Sequence, residues 1–170
     1  FVVLVVFSRV PYLQALVPWK DFFHTAIVVH VDLSVLVWFL AFAGVLWGHN
    51  ALPRWLGLGW LALALAAAGT AVVAAAPFFG ASGALMSNYI VILQHPLFFL
   101  GLGLLGIGFL LLILHTLLAA HPVGIQATGA GVLRFGLHAA LVAAALSVAA
   151  FVWSYLAIPD YFASKELYEL

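Results

Sequence analysis

The residues able to do chemistry are few, and most are histidines. His24, His30 and Asp32 fall in the first half of one apolar run, Asp21 to Trp47, DFFHTAIVVHVDLSVLVWFLAFAGVLW. A run of that length crosses a bilayer as a helix, since about 20 apolar residues at 1.5 Å rise cover about 30 Å. An aspartate at the centre of such a helix costs about 2.5–3.5 kcal/mol on insertion scales, and an imidazole there is costly too. Residues kept at that cost face a partner, a cofactor or a proton path. With seven His and no Cys, imidazole is the one strong metal or haem-iron ligand present in number. Disulfides, thiolate metal sites and c-type haem attachment are excluded within this chain.

Helical geometry sorts these residues. At about 100° per residue, His24 and His30 point about 120° apart, so one group does not take both. His24 lies near the helix start, where its polar tip reaches water. His30 is about two turns into the hydrocarbon, where a ligand or proton-path role competes with a structural one. Its face continues through Val37 and Ala41. Asp32 is about 200° from His30 and cannot serve as its hydrogen-bond partner. It is expected to face the protein interior, as a proton-path element or an interhelical hydrogen bond. His95, followed by Pro96, reads equally as a haem-edge or proton-path residue and as a helix start. His115, His121 and His138 sit near one interface and form no convincing metal set, so structural or solvated roles are expected. Arg9 ends the first apolar segment, where its guanidinium needs a polar partner or snorkels to the interface.

The elements that must position these side chains are membrane helices. The chain of 170 residues is 68% hydrophobic and 6% charged, against about 25% charged in an ordinary soluble domain. The expected fold class is all-α integral membrane, a single unit of about five transmembrane helices. Their expected spans are 1–17, 22–47, 55–76, 88–118 and 132–158, with 159–170 as an interfacial tail. Short loops make neighbouring helices antiparallel. The fourth is long enough to require tilt. Its Gly101, Gly103, Gly106 and Gly108 leave room for a neighbouring helix or a flat cofactor to approach the backbone. Arg54 and Arg134 share one side, and Lys20 and Lys165 the other, which favours the arginine side as cytoplasmic. Five basic and five acidic side chains leave no net charge, which argues against nucleic acid as a partner. The apolar start, with no initiator Met and no basic leader, reads as a trimmed end and not as a signal peptide.

Around His30 the pattern becomes specific. The run F-H-T-A-I-V-V-H-V-D-L-S-V-L-V-W, with His30, Asp32, Leu33 and Trp38, resembles the second membrane helix of subunit I in the haem-copper oxidase superfamily. That superfamily includes cytochrome oxidases and nitric oxide reductases. Phe7-Ser8-Arg9 is similar to the segment that brings an arginine beside the low-spin haem. Ile92-Leu93-Gln94-His95 and the glycines after it resemble the fourth helix. Glu166 to Leu170 resembles the stretch before the sixth. The resemblance implies that His30 is an axial ligand of a low-spin haem iron and that Arg9 lies at a polar haem edge. It places Asp32 and His95 among proton-path or supporting residues.

The resemblance also implies what this stretch does not carry. The copper-binding histidines, the proximal ligand of the active-site haem and the second low-spin ligand belong to later helices. Copper and a second haem are therefore expected only in a continuation of the chain or in a partner half. The implied whole is a respiratory terminal oxidase of a bacterial or mitochondrial inner membrane. It would work with other oxidase subunits and membrane lipid, take electrons from cytochrome c or quinol, and reduce oxygen or, less favoured, nitric oxide. Two other readings of the residues stand beside it. One is a non-catalytic membrane b-type cytochrome or accessory subunit. The other is a cofactor-free transporter or scaffold, with Asp32 and the histidines lining a solute or proton path.

Overall fold

A computed structural model describes residues 1–7, 9–10, 12, 22–49, 51–81, 83–86, 91–119 and 129–157. Helix α1 is Val2–Phe7, and the amides of Arg9 and Val10 bond the carbonyls of Val6 and Phe7 at 3.1 and 3.0 Å. The first helix expected over 1–17 is therefore helical over six residues in its described part. Most of its second half lies outside the described residues, as does the whole interfacial tail 159–170. Helix α2 runs from Phe22 to His49, α3 from Leu56 to Ala75, α4 from Pro96 to Ala119 and α5 from Ala130 to Ala157. A short 3₁₀ turn, Ala76–Phe79, extends α3.

Among the described residues, four helices are long and apolar enough to cross a membrane: Phe22–His49, Leu56–Phe79, Pro96–Ala119 and Gly131–Ala150. Membrane-spanning helical character follows from them. At 1.5 Å per residue α2 is about 42 Å long, more than the hydrocarbon thickness of about 30 Å, so it tilts or emerges at an end. The outer faces are apolar and open, as Trp60, Phe135, Trp153 and Leu156 illustrate. That arrangement suits lipid or further helices and is uncommon on a water-facing surface.

Two features depart from the all-α expectation. The fourth helix starts at Pro96 and not near Asn88. Before it, Ala84–Met86 (β1) pairs antiparallel with Val91–Leu93 (β2), Ala84 opposite Leu93. The reason is local. The residue before a proline is driven out of the α region, which blocks helix growth back through His95. The β-branched pair Val91-Ile92 suits a strand. This hairpin closes one end of the core, where Leu93 and Phe98 pack with Val28 and Val29 of α2 and Val73 of α3. A second, smaller cluster joins Trp47, Ile113 and Leu137, with Trp47 and Phe109 rings 5.6 Å apart.

Helices α3 and α4 form the tightest pair. Gly69, Gly101 and Gly108 stand where the backbones meet. A Cβ on Gly108 would lie 2.5 Å from the Ala66 nitrogen, and one on Gly101 2.8 Å from the Val73 nitrogen. Close backbone approach through small residues drives association where lipid gives no hydrophobic contrast. Gly103 and Gly106 face open space. The glycines of α4 thus divide, two receiving a neighbouring helix and two remaining free of contact.

Candidate functional site around His30

His30 is the ninth of the first ten helical residues of α2, Phe22–Val31. The next six, Asp32–Val37, form a π-helical segment, after which α-geometry resumes at Trp38. Hydrogen bonding in a π-turn spans i to i+5, so the segment adds a residue to the turn. The Ser34 hydroxyl donates to the His30 carbonyl at 2.6 Å. It gives that carbonyl a partner where the backbone ladder changes step. Single π-turns inside α-helices occur often at functional sites.

The π-segment changes which residues share the His30 face. One added residue rotates everything after it by about 100° relative to a uniform α-helix. Val37 and Ala41, expected beside His30, turn instead toward α3 and α4 and line a cavity of which His30 is not part. Trp38 and Phe42 come round in their place, to within about 20° of His30. Both are exposed, and their rings stack at 5.8 Å with planes 7° apart. On the other side of His30, seven residues back, Phe23 lies about 20° off the same line. Phe23, His30, Trp38 and Phe42 therefore form an aromatic stripe with a half-buried imidazole in it. Among the described residues the His30 ring makes no hydrogen bond.

Arg9 reaches this stripe from outside α2. Its guanidinium carbon stands 3.8 Å above the centre of the Phe23 ring, a cation–π contact. Phe23 is about 10 Å along the helix axis from His30. The partner is an aromatic face and not the polar one expected, and Arg9 itself remains exposed.

Asp32 is buried, 8% exposed, and its Oδ2 has no hydrogen-bond partner among the described residues. It faces into the protein beside α3. The interhelical hydrogen bond expected of it is not made by that oxygen. His95 has a distinct job. Its Nδ1 accepts the Leu97 amide at 3.2 Å and its carbonyl accepts the Phe99 amide at 3.1 Å. It caps α4, the plain helix-start role, and stands outside that helix rather than eight residues into it. It therefore does not share the depth of His30.

The remaining histidines separate in space. His24 is exposed and its ring meets Phe23 edge-on at 5.4 Å. His138 donates from Nδ1 to the Arg134 carbonyl at 2.7 Å. His121 lies outside the described residues. His115 is buried, 7% exposed, with Nε2 3.0 Å from the Arg54 carbonyl and Nδ1 unpartnered among the described residues. No three His, Asp or Glu side chains come together as a metal site among the described residues. A single axial imidazole needs no such cluster.

No family model matches the chain, and no solved structure matches it. A relative from Aquifex aeolicus (strain VF5), described as "Uncharacterized protein", is 36% identical over 108 residues. The match covers 64% of this chain and 27% of the relative, so the chain spans about a quarter of that protein's length.

Proposed function

We propose that the chain is the N-terminal part of a haem-copper oxidase-type catalytic subunit, with His30 as an axial ligand of a low-spin haem. The observation that carries this is the setting of His30. It is an imidazole two turns inside a membrane-length helix, and its ring makes no hydrogen bond among the described residues. It lies in a stripe whose aromatic members Trp38 and Phe42 stand exposed. A ring nitrogen left unsatisfied in hydrocarbon is costly, and coordination to iron removes that cost. Aromatic side chains above and below suit the edges of a flat macrocycle.

Within this reading, each residue has a stated task. His30 would hold the iron. Ser34 fixes the backbone at the ligand through the His30 carbonyl. Arg9 sets a positive charge at the edge of the same face and favours the reduced state electrostatically. Asp32, on the other side of α2, belongs to proton uptake or to helix packing. A low-spin haem supplies one-electron transfer, and its potential is tuned by ligand, burial and nearby charge. The second axial ligand, the copper and the second haem belong to a continuation or partner half. Electrons from cytochrome c or quinol would pass to oxygen, or to nitric oxide as the less favoured acceptor, at an inner membrane.

The visible spectrum of the membrane-extracted protein, purified with whatever polypeptide accompanies it, tests this. The native protein should show a low-spin haem spectrum that His30→Ala abolishes and His24→Ala, His49→Ala and His138→Ala retain. A colourless native protein, or an unchanged spectrum in His30→Ala, sinks the proposal.

A further inference from the structure

Among the described residues of α5 only Leu137 is buried. It packs on Trp47 of α2 and Ile113 of α4, with Ala140 beside it. Past Ala140 the described side chains of α5 are exposed, apart from the half-buried Ala144. An apolar groove of about 600 Å³ follows this open stretch, between Leu110 of α4 and a line on α5 that includes Leu141, Ala145, Val148, Val152 and Leu156. On α4 the Leu110 face continues through Gly106 and Gly103, where an added Cβ would meet nothing within 4 Å.

The shape of the groove selects its occupant. From Leu141 to Leu156 α5 rises about 22 Å. A volume of about 600 Å³ over that length is a mean cross-section of about 27 Å². A helix about 10 Å across needs roughly 80 Å². An extended hydrocarbon chain, whose carbons keep their neighbours about 4 Å away, fits the narrower space.

Charge fixes which end carries the head. Arg134 is exposed in the second turn of α5. At about 100° per residue, Leu141 and Ala145 lie within about 20° of it, and Val152 directly below it. The guanidinium therefore stands over the groove, about 10 Å along the axis from Leu141. It is at a membrane face. Leu137, one turn on, packs near the end of α2 and the last turns of α4, and Arg54 is tied to the same end through the His115 Nε2 contact with its carbonyl at 3.0 Å. Asp32, in the middle of α2, is the one acidic side chain among the described residues, so none of them pairs with Arg134. A guanidinium binds a phosphate through two parallel hydrogen bonds. A zwitterionic headgroup brings its own cation to the same place, and an anionic one does not.

We propose that the groove between α4 and α5 binds an anionic phospholipid of the bilayer, with its phosphate on Arg134 and one acyl chain along Leu141 and Ala145. One leaflet is about 15 Å deep, so a chain hung from that head covers the first half of the groove.

Photolabelling of the purified full chain in phosphatidylcholine nanodiscs decides this. The probes are phosphatidylglycerol and phosphatidylcholine carrying the same diazirine-bearing acyl chain. Phosphatidylglycerol should label the native protein about fivefold more, the effect of one arginine on an anionic headgroup, with the excess in peptides holding Leu110, Leu141 and Ala145. Arg134→Gln should erase that preference. Arg54→Gln makes the same charge change at the same face but away from the groove, and should keep it. Ala145→Phe adds bulk at an exposed position and should reduce labelling of these peptides by both lipids. Equal labelling of the native protein by the two probes overturns the proposal. So does an equal loss of preference in the two arginine variants, which would make it a property of the total charge of that face. Label no richer in the groove peptides than on the outer face of α3 around Trp60 overturns it as well.

Discussion

Gly108 and Gly106 stand two residues apart on α4 and should respond oppositely to the same methyl group. At Gly108 a Cβ would lie 2.5 Å from the Ala66 nitrogen and 2.8 Å from the Ala62 carbonyl oxygen. Ordinary contacts between heavy atoms settle at about 3.5–4.0 Å, so α3 and α4 must part by roughly 1 Å. The obstacle is backbone, which cannot swing aside. Overpacking of this kind costs about 1–3 kcal/mol. At Gly106 nothing lies within 4 Å of the added carbon, and alanine gains up to about 1 kcal/mol of helix propensity. For a chain of this size each kcal/mol moves the unfolding midpoint by about 2–4 °C. Gly108→Ala should therefore lower the midpoint by roughly 2–12 °C, and Gly106→Ala should leave it unchanged or raise it. Loss of the helical circular dichroism signal on heating in mild detergent measures both. Equal shifts, or a larger loss for Gly106→Ala, would refute the packing argument. Loss of the proposed haem in Gly106→Ala at unchanged stability would instead assign the open glycines to a flat ligand.

Three further outcomes follow from the proposed haem site. His95→Ala removes the acceptor of the Leu97 amide at the start of α4 and should cost about 1 kcal/mol, the usual worth of a helix cap. The low-spin spectrum should persist, and its disappearance would return His95 to the haem site. Arg9→Met removes the positive charge over Phe23 and should lower the haem midpoint potential in a redox titration, whereas an unmoved potential places Arg9 outside the electrostatic reach of the iron. Asp32→Asn keeps the shape of a buried side chain and abolishes its titration. Turnover of the proposed oxidase assembly that survives this change rules out a proton-path role and leaves the packing role.

Much of this architecture is legible in composition and periodicity because a bilayer imposes simple rules. Long apolar runs become helices, and prolines and glycine clusters mark their ends. The spans of α2, α3 and α5 follow from that alone. The hairpin before α4 is harder to read. Val91 to Leu93 is as apolar as the helices around it, and the signal lies in Pro96, which fixes where a helix can begin, and in the β-branched pair Val91-Ile92. His95 reads correctly as a helix-start residue once Pro96 is given its steric weight. The partner of Arg9 could not be read at all, since the contact joins the turn after α1 to α2 across residues that carry no mutual pattern.

The π-segment is the consequential case. Sequence periodicity assumes one rotation per residue throughout a helix, and Asp32–Val37 contains no proline or glycine to warn otherwise. Only Ser34 marks the place, with a hydroxyl four residues after His30 and able to serve a carbonyl freed from the ladder. Under uniform rotation Trp38 and Phe42 would point about 80° and 120° away from His30, and Val37 and Ala41 would stand beside it. One extra residue exchanges the two pairs. Small side chains then face the α3–α4 pair, where a cavity forms, and large aromatic ones join the histidine on the open face. A single local change in hydrogen-bond step thus separates the His30 stripe on one side of α2 from the apolar cavity on the other.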